Sequence, residues 1–505
     1  MTLSQYFNEY RDEVFAGRQE LLTDLLPADI AVNVPGSRAI TPENLQEDLT
    51  VQYPAFLRNA NQSRYLINYF KGVQPIVVRQ VEERAIDNKT VVNFAYAISR
   101  NLSSYAYSTG IQYVATSTEY SDDVKTINDL MVLAGKQSVT QDMKYLQSIC
   151  GRTFISIENN KTDPDSGCPF VIKSLSPVDT FTVNSVFDRN TCVYAGYRYS
   201  INNGTDTTEY LQVFDAYNCY TFTNSGSEFA MESVVPHLYG SVPIMEVKNN
   251  TFMLGDFEMA ISLLDAINAF SSDWTTNVEE IVTSYLCLFG IDPDFLTEET
   301  MESMKKNRIL AFPNANGVNQ SANFIYAQLD GTSMDMLKSY LNESLKLITG
   351  MPDRDSSNAN TSGVAEDIKT GQNDRESIAI EKSSFAEVAE KKLLRILLKM
   401  LKGTYLTSDI KVSDIDVDIT RINRDNILTK SQSLLNMKEF GMDAADAVYF
   451  ANLTNDVEGV AARVQANWDK LEEKANESAQ PERQNPDGGD FGDRTDYTDR
   501  GNSAS

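Results

Sequence analysis

The sequence predicts an α+β protein of about three or four domains. Apolar residues recur at three- and four-residue spacing over much of residues 1–148 and again from 256 onward, the period of amphipathic helices. Between about 150 and 245 they alternate in short runs separated by turn clusters, the pattern of an antiparallel β-meander. The length, 505 residues, exceeds what one ordinary core organises.

Residues 1–60 read as helical and then loop-rich, with an amphipathic run at 7–26 and Pro35, Gly36 and Pro42 punctuating the stretch at 28–45. Residues 65–81 are aromatic-rich and broken by Gly72 and Pro75, and 88–107 carry helical spacing through Val91, Phe94, Ile98, Leu102 and Tyr105. Two further helices are expected within 121–148. From Cys150 the texture changes to five or six short strands, closed by Pro236 and Pro243 around His237, the sole histidine. After residue 363 a long helix runs to 402, with Gly371 inside it, and a strand at 414–420 alternates with one acidic face. Helices at 427–440, 444–451 and 456–470 precede a tail, 471–505, rich in Pro, Gly, Ser and Asp and expected to be disordered.

Between these parts lies an unusual arrangement. A helix over 256–283 places Phe257, Ile261, Leu264, Ile267, Trp274, Val278 and Ile281 on one face, and at 1.5 Å per residue it makes a rod of about 42 Å. It carries Asp256, Glu258, Asp265, Asp273, Glu279 and Glu280 and no Lys or Arg. A second helix places Met334, Leu337, Leu341, Leu345 and Ile348 on one face and stops at Gly350-Met351-Pro352. The connection at 284–331 has its own strand-like and helix-like runs. The segment after Pro352, namely Asp353, Arg354, Asp355, Ser356, Ser357, Asn358, Ala359 and Asn360, has almost nothing to bury. An ordinary helical hairpin in a core accounts for the periodicity alone; the self-contained insert and the hydrophilic loop at opposite ends argue for more.

A formal net charge of −27 and a pI near 4.5 argue against a basic nucleic-acid surface, whose affinity comes from Lys and Arg displacing counterions. The five cysteines are scattered without a CxxC pair, which points to free thiols in a reducing compartment. The chain opens without a basic-then-apolar signal segment and has no apolar run long enough for a membrane span, so it reads as a soluble protein made in a cytoplasm.

Catalytic templates fail in turn. One histidine cannot build a multi-His metal site, and His237 between two prolines reads as a loop residue. Ala134-Gly-Lys-Gln-Ser138 echoes the end of a P-loop, but Leu130 stands where the template needs Gly. Asp353 to Asn358 starts like a calcium loop, yet Asn358 and Val364 replace the turn Gly and the bidentate Glu. Among 71 acidic residues a carboxylate pair is uninformative. No enzyme, cofactor or metal is expected.

Several stretches do match a known family. Val242-Pro-Ile-Met-Glu-Val-Lys-Asn-Asn250, Gly255-Asp-Phe-Glu258 and Leu264-Asp-Ala266 resemble the block that opens the stem of tailed-bacteriophage portal (head–tail connector) proteins. In the same order, Tyr69-Phe-Lys-Gly72 with Val91-Val-Asn93, Thr349-Gly-Met-Pro-Asp353 with Ser362-Gly-Val-Ala365, and Asp418-Ile-Thr-Arg-Ile-Asn-Arg424 are similar to further segments of that family. The resemblance covers about 60–470, and its specificity lies in the collinearity of weak motifs. Phe70, Phe257 and Thr349 depart from the commoner residues.

The resemblance implies a portal fold of clip, helical stem, wing and helical crown, assembling into a ring of about twelve subunits at one capsid vertex. It implies wing at 1–255 with the meander at 150–245, stem helices at 256–283 and 332–349, and a clip at 284–331. A tunnel loop at 350–362, a long wing helix at 363–402 and a crown at 403–470 complete the layout. Double-stranded DNA would pass through the ring without sequence-specific binding. Partners would be the terminase large subunit, a head–tail adaptor, and major capsid and scaffolding proteins. The ring would be assembled in the host cytoplasm and carried in the virion. Acids on the stem would repel phosphate, while Arg354, Lys338 and Lys346 would give weak guiding contacts. A related adaptor or capsid component, or an acid-pair hydrolase with a β-rich domain, are the alternatives.

Overall fold

The computed structural model describes residues 31–32, 40–79, 87–161, 163, 166–185, 191–202, 204, 207–224, 229–282, 285–291, 297–306, 309–313, 321–325, 331–351, 372–419, 421, 427–450 and 457–478. It mixes helices and sheets, as the α+β reading requires, and the chain divides into two units, Met1–Ile422 and Asn423–Ser505. The amphipathic run at 7–26 and the tail beyond 478 lie outside the described residues.

In the first unit a two-residue strand, β1 (Ala31–Val32), precedes a helix longer than the sequence suggests, α1 (Pro42–Phe70). Thr41 and Asn44 form a reciprocal capping box, and Pro42 sits where its missing N–H is not needed. The helix passes through Pro54, because Leu45, Leu49, Tyr53, Phe56 and Ala60 pack on one sheet and hold both halves in line. Helix α2 (Phe94–Ala106) starts later than the periodicity from 88 predicts, and its cap is the Asn93 side chain. Strand β2 (Gln112–Ala115) leads to α3 (Ser121–Leu133) and α4 (Lys136–Cys150), the two helices expected in this stretch.

The predicted single meander is in fact divided between two sheets. Strands β3 (Arg152–Asn159) and β4 (Phe170–Leu175) are followed by β5 (Thr180–Ser185), β6 (Cys192–Asn202), β7 (Thr207–Phe214), β8 (Asn218–Asn224) and β9 (Phe229–Pro236). The last five form an antiparallel meander with β1 added parallel at one edge, while β3 and β4 pair with β10 (Ile244–Lys248). The reason is burial on both faces of β3: Phe154 packs toward Ala195 and Phe214 of the larger sheet, whereas Ile155 and Ile157 join the helical core. Helix α1 covers the other face of the six-stranded sheet, against Phe181, Val183, Tyr194, Leu211 and Phe222. Gly196 is required there, since a Cβ would lie 2.4 Å from the Phe181 ring.

Next come α5 (Ile261–Val282), β11 (Tyr285–Ile291), α6 (Glu298–Lys306), β12 (Ile309–Pro313), β13 (Ser321–Ile325) and α7 (Gly331–Thr349). Strands β11 and β12 run parallel with α6 as the crossover, and β13 adds antiparallel on the other side, so the insert is a small sheet of its own. Helix α8 (Gln372–Leu401) is the centre of the first unit's largest core, through Ala379, Ala386, Ala389, Leu393, Leu394 and Leu397. The predicted strand at 414–420 is the shorter β14 (Ile415–Asp418), paired antiparallel to β2. Residues 403–419 therefore belong to the first unit, although the expected crown starts at 403.

The second unit holds α9 (Ile427–Glu439), α10 (Ala444–Phe450) and α11 (Val457–Ser478). Ala444, Ala447, Val448 and Ala461 are buried among them, and the Lys438 ammonium lies 5.1 Å from the Trp468 ring. Helix α11 continues past residue 470, so the expected disordered tail starts too early.

Candidate functional site

Helices α5 and α7 run antiparallel: Leu345, near the end of α7, shares a core with Phe257, Ile261 and Leu264 at the start of α5. The small sheet of β11–β13 is thus at one end of the pair, and the end of α7 with the start of α5 at the other. The sequence places the first helix from Asp256, but the α-helix begins only at Ile261, after a turn at 256–257 and a 3₁₀ turn at Glu258–Ala260.

Those first residues are a joint. A Cβ on Gly255 would lie 2.3 Å from the Ile149 carbonyl oxygen, so only glycine fits. The Gly255 N–H donates to Glu258 Oε2 at 2.9 Å and the Asp256 N–H to the Ser148 carbonyl at 2.8 Å. The Asp256 carboxylate accepts from the Lys382 ammonium of α8, from the Ser148 hydroxyl and, at 2.9 Å, from Asn249 Nδ2. Glu258, buried, also accepts from Gln62 of α1 at 2.6 Å. Asp256 and Glu258 are therefore joint residues and not acids on an exposed rod.

The other predicted acids also have partners in their own chain. Tyr69 donates to Asp265 at 2.8 Å while stacking on Phe257; burial, with the Asp265 charge, pushes its hydroxyl far above the ordinary value, so it stays a donor. Arg79 reaches Asp273 at 2.9 Å, and Asn88 Nδ2 donates to Glu279 at 2.7 Å. The Glu280 side chain lies outside the described residues.

A polar strap, missed by sequence reasoning, ties α5 to the stretch at 88–92. The N–H groups of Asn88, Thr90 and Val92 donate to Thr276 Oγ1, Ser272 Oγ and Asn268 Oδ1 at 3.0, 2.9 and 2.8 Å. Two extended residues advance about 6.7 Å and four helical residues about 6.0 Å, so alternate amides meet every fourth helical side chain. Asn268, Ser272 and Thr276 are each fully buried. Small polar residues at i, i+4 and i+8 in an otherwise apolar helix are the signal in the sequence.

The end of α7 and the start of α8 are anchored as well. Gly350 has φ +64°, and a Cβ there would come 2.6 Å from Ile378 of α8, so the chain leaves α7 beside the place where it re-enters. Arg375 lies 4.0 Å over the Tyr105 ring, and Glu376 accepts from Tyr105 and, at 2.9 Å, from Arg421. Met351 is half-buried against the core of Phe257, Ile261, Leu264 and Leu345, while Pro352, Asp353, Arg354, Asp355, Ser356, Ser357, Asn358, Ala359 and Asn360 lie outside the described residues. Lys338 is exposed on α7, and Lys346 is half-buried and engaged within the chain.

The remaining candidates are structural. Lys136 of the P-loop echo is buried in a 2.6 Å ion pair with Glu390, which also accepts from Tyr113. His237 stacks on Tyr239 at 4.5 Å and bonds the Asp215 carbonyl at 3.2 Å, and burial lowers its pKa. Burial pushes the Cys192 and Cys219 thiols up to about 12 and about 11, so they stay protonated. Among the described residues no group of His, Cys, Asp and Glu could hold a metal ion, and no helix is long and apolar enough to cross a membrane.

The sequence model of the family described as "Phage portal protein, SPP1 Gp6-like" matches residues 54–480. No curated protein matches the sequence. Among solved structures, the neck of an empty GTA particle computed with C6 symmetry aligns with TM-score 0.43 and 12% identity, over 78% of this chain and 94% of that one. The neck of a native GTA particle computed with C12 symmetry gives the same TM-score of 0.43, 12% identity, and coverage of 78% and 94%.

Proposed function

Because the chain belongs to the SPP1 Gp6-like family of phage portal proteins, we propose that about twelve copies close into a ring at one capsid vertex and form the conduit for double-stranded DNA. The family match over residues 54–480 carries this reading, since it spans the helical hairpin, its insert and the 352–371 segment. In this assignment α5 and α7 are the stem, and 284–331 is the clip that docks the terminase large subunit during packaging and a head–tail adaptor afterwards. Residues 350–362 are the tunnel loop facing DNA, 1–255 with 363–402 the wing, and 403–470 the crown. Major capsid and scaffolding proteins meet the outside of the ring, which is built in the host cytoplasm.

The physical logic is that a duplex must slide, so its conduit has to avoid binding it. A strongly acidic wall repels phosphate and shortens dwell times. With Asp256, Glu258, Asp265, Asp273 and Glu279 engaged inside the chain, that role passes to exposed acids such as Asp335 and Glu343. Lys338 and Arg354 are the cations for brief guiding contacts, while Lys346 is already engaged. The closeness of Gly350 to Ile378 supports the loop assignment, because a loop anchored at both ends to one rigid base can project without loosening the core. Negative-stain electron microscopy of the purified protein tests the reading: rings with a central hole are expected, and a monomer at all concentrations would overturn it.

A further inference from the structure

The turn that follows β9 joins three parts of the first unit. The His237 N–H donates to the Tyr217 carbonyl, just ahead of β8, at 2.6 Å. The Tyr239 hydroxyl accepts from the Asn159 N–H at the end of β3 at 3.1 Å, and the Tyr239 carbonyl accepts from the Lys399 ammonium of α8 at 3.2 Å. Tyr239 is buried in the core that α8 organises. The turn therefore clasps the six-stranded sheet to the three-stranded one and to the long helix.

His237, the sole histidine of the chain, sits inside that clasp. Its ring stacks on Tyr239 at 4.5 Å and has Phe214 at 6.4 Å. Nε2 lies 3.2 Å from the Asp215 carbonyl, which can only accept, so Nε2 carries the proton of the neutral ring. Nδ1 is then the bare nitrogen, and it is buried with no hydrogen-bond partner among the described residues. A proton added there makes a donor that water cannot reach, together with a charge set against two aromatic rings.

The neighbouring groups do not offset that cost. Burial is the largest influence on His237 and lowers its pKa from 6.5; the Asp215 charge and the Asp215 and Asn218 carbonyls act the other way and are outweighed. The Asp215 carboxylate is already taken by the N–H groups of Tyr217 and Asn218 and by the Tyr220 hydroxyl. Burial raises the pKa of Tyr239 and of Cys219, so both stay neutral. Glu158 of β3 is paired with Lys173 at 3.3 Å, and Lys399 brings a positive charge of its own.

We propose that His237 makes this turn an acid-released clasp: unprotonated, the ring lets the turn close, and protonated, it leaves its place so that Nδ1 reaches water and the turn comes away with it. The ladders of β8 with β9 and of β3 with β10 do not pass through residues 237–240, so opening frees the turn without unpairing either sheet. The sign follows from linkage. A group bound less readily by protons when closed than when open favours closure fully above the open-state value near 6.5. That contribution fades as pH falls from there toward the lowered closed-state value, by at most about tenfold per pH unit.

The test uses the full chain. Deuterium exchange at Cε1 of the sole imidazole, read by mass spectrometry across a pH series, gives its titration midpoint, which should lie below 6.5. The amides of His237 and Asn159, which the clasp holds, should exchange about five- to tenfold faster at about pH 5.5 than at about pH 7.5 after correction for intrinsic rates. His237→Gln and His237→Phe take up no proton and should show no such acceleration, whatever their baseline rate. A midpoint at or above 6.5, or the same acceleration in both variants, would overturn the clasp.

Discussion

Lys382 of α8 and Asp256 at the foot of the helical hairpin form an ion pair almost wholly withdrawn from water, with side-chain exposures of 2% and 3%. Ser148 and Asn249 satisfy the rest of the carboxylate, so α4, the turn after β10, α8 and the start of α5 meet on one charge. The family-like Gly-Asp-Phe-Glu stretch is thus the place where the rods are fastened to the body of the chain.

Breaking that pair from one side strands a buried charge. Lys382→Met should destabilise the first unit by about 3–5 kcal/mol, read from a urea melt. The double variant Lys382→Met with Asp256→Leu should recover much of that loss, since no charge is then left unpaired. A single variant melting within about 0.5 kcal/mol of wild type would show that the joint does not hold the unit together.

The strap along α5 makes a local prediction. Ser272→Ala removes the acceptor of the Thr90 N–H and should cost about 1 kcal/mol. Its signature is hydrogen exchange: the Thr90 amide should lose protection, while the amides of Asn88 and Val92, held by Thr276 and Asn268, lose less. Uniform loss across all three would mean that the strap opens as one piece.

Asp123 ties the 403–411 turn to α3. It accepts from the N–H and hydroxyl of Thr407, both at 3.0 Å, and from the N–H, at 2.9 Å, and hydroxyl of Ser408. Burial alone would raise its pKa, but these bonds outweigh burial and hold it below the ordinary 3.8. A depressed carboxylate stabilises fully above its unfolded value and loses that contribution as pH falls through the folded one. Asp123→Asn should therefore destabilise the chain at neutral pH and flatten the acid limb of its stability below about pH 4. An unchanged acid limb would remove Asp123 from the account.

How much of this is legible in the sequence depends on how local the cause is. Helices α3, α4, α9 and α10 and the strands of the insert arise from periodicity and turn residues within each segment. Helix α1 does not: residues 1–60 read as turning loop-rich, and the packing of Tyr53 and Phe56 on a distant sheet holds the helix together through Pro54. The split of the meander depends on β10 returning to β3, a choice made across the whole β region. The acids of the first rod read as a solvated face because their partners, Lys382, Gln62, Tyr69 and Arg79, stand far off in the chain. Hydrophobic spacing on α7 marks an apolar face, yet Leu337 and Ile348 are 45% and 51% exposed. Among the described residues that face has no complete cover, as the proposed ring would require.

The 352–371 segment gives the most direct functional test. Gly350, just before it, lies against Ile378 of α8, and Gly350 needs its left-handed backbone. Deleting residues 353–360 removes Arg354 and the hydrophilic stretch but leaves Gly350, Ile378 and the Asp256–Lys382 pair in place. Rings should therefore form with unchanged stability, whereas DNA packaging or retention falls, measured as nuclease-protected DNA per particle. Gly350→Val should act differently: strain at φ +64° and a collision with Ile378 disturb the anchor itself, costing about 1–3 kcal/mol as well as DNA retention. Replacing Arg354 alone by Ala should leave stability untouched and alter retention most at low salt, because a weak phosphate contact is screened as ionic strength rises. Normal packaging by the deletion would remove the DNA-facing role from this segment, even if the ring itself forms.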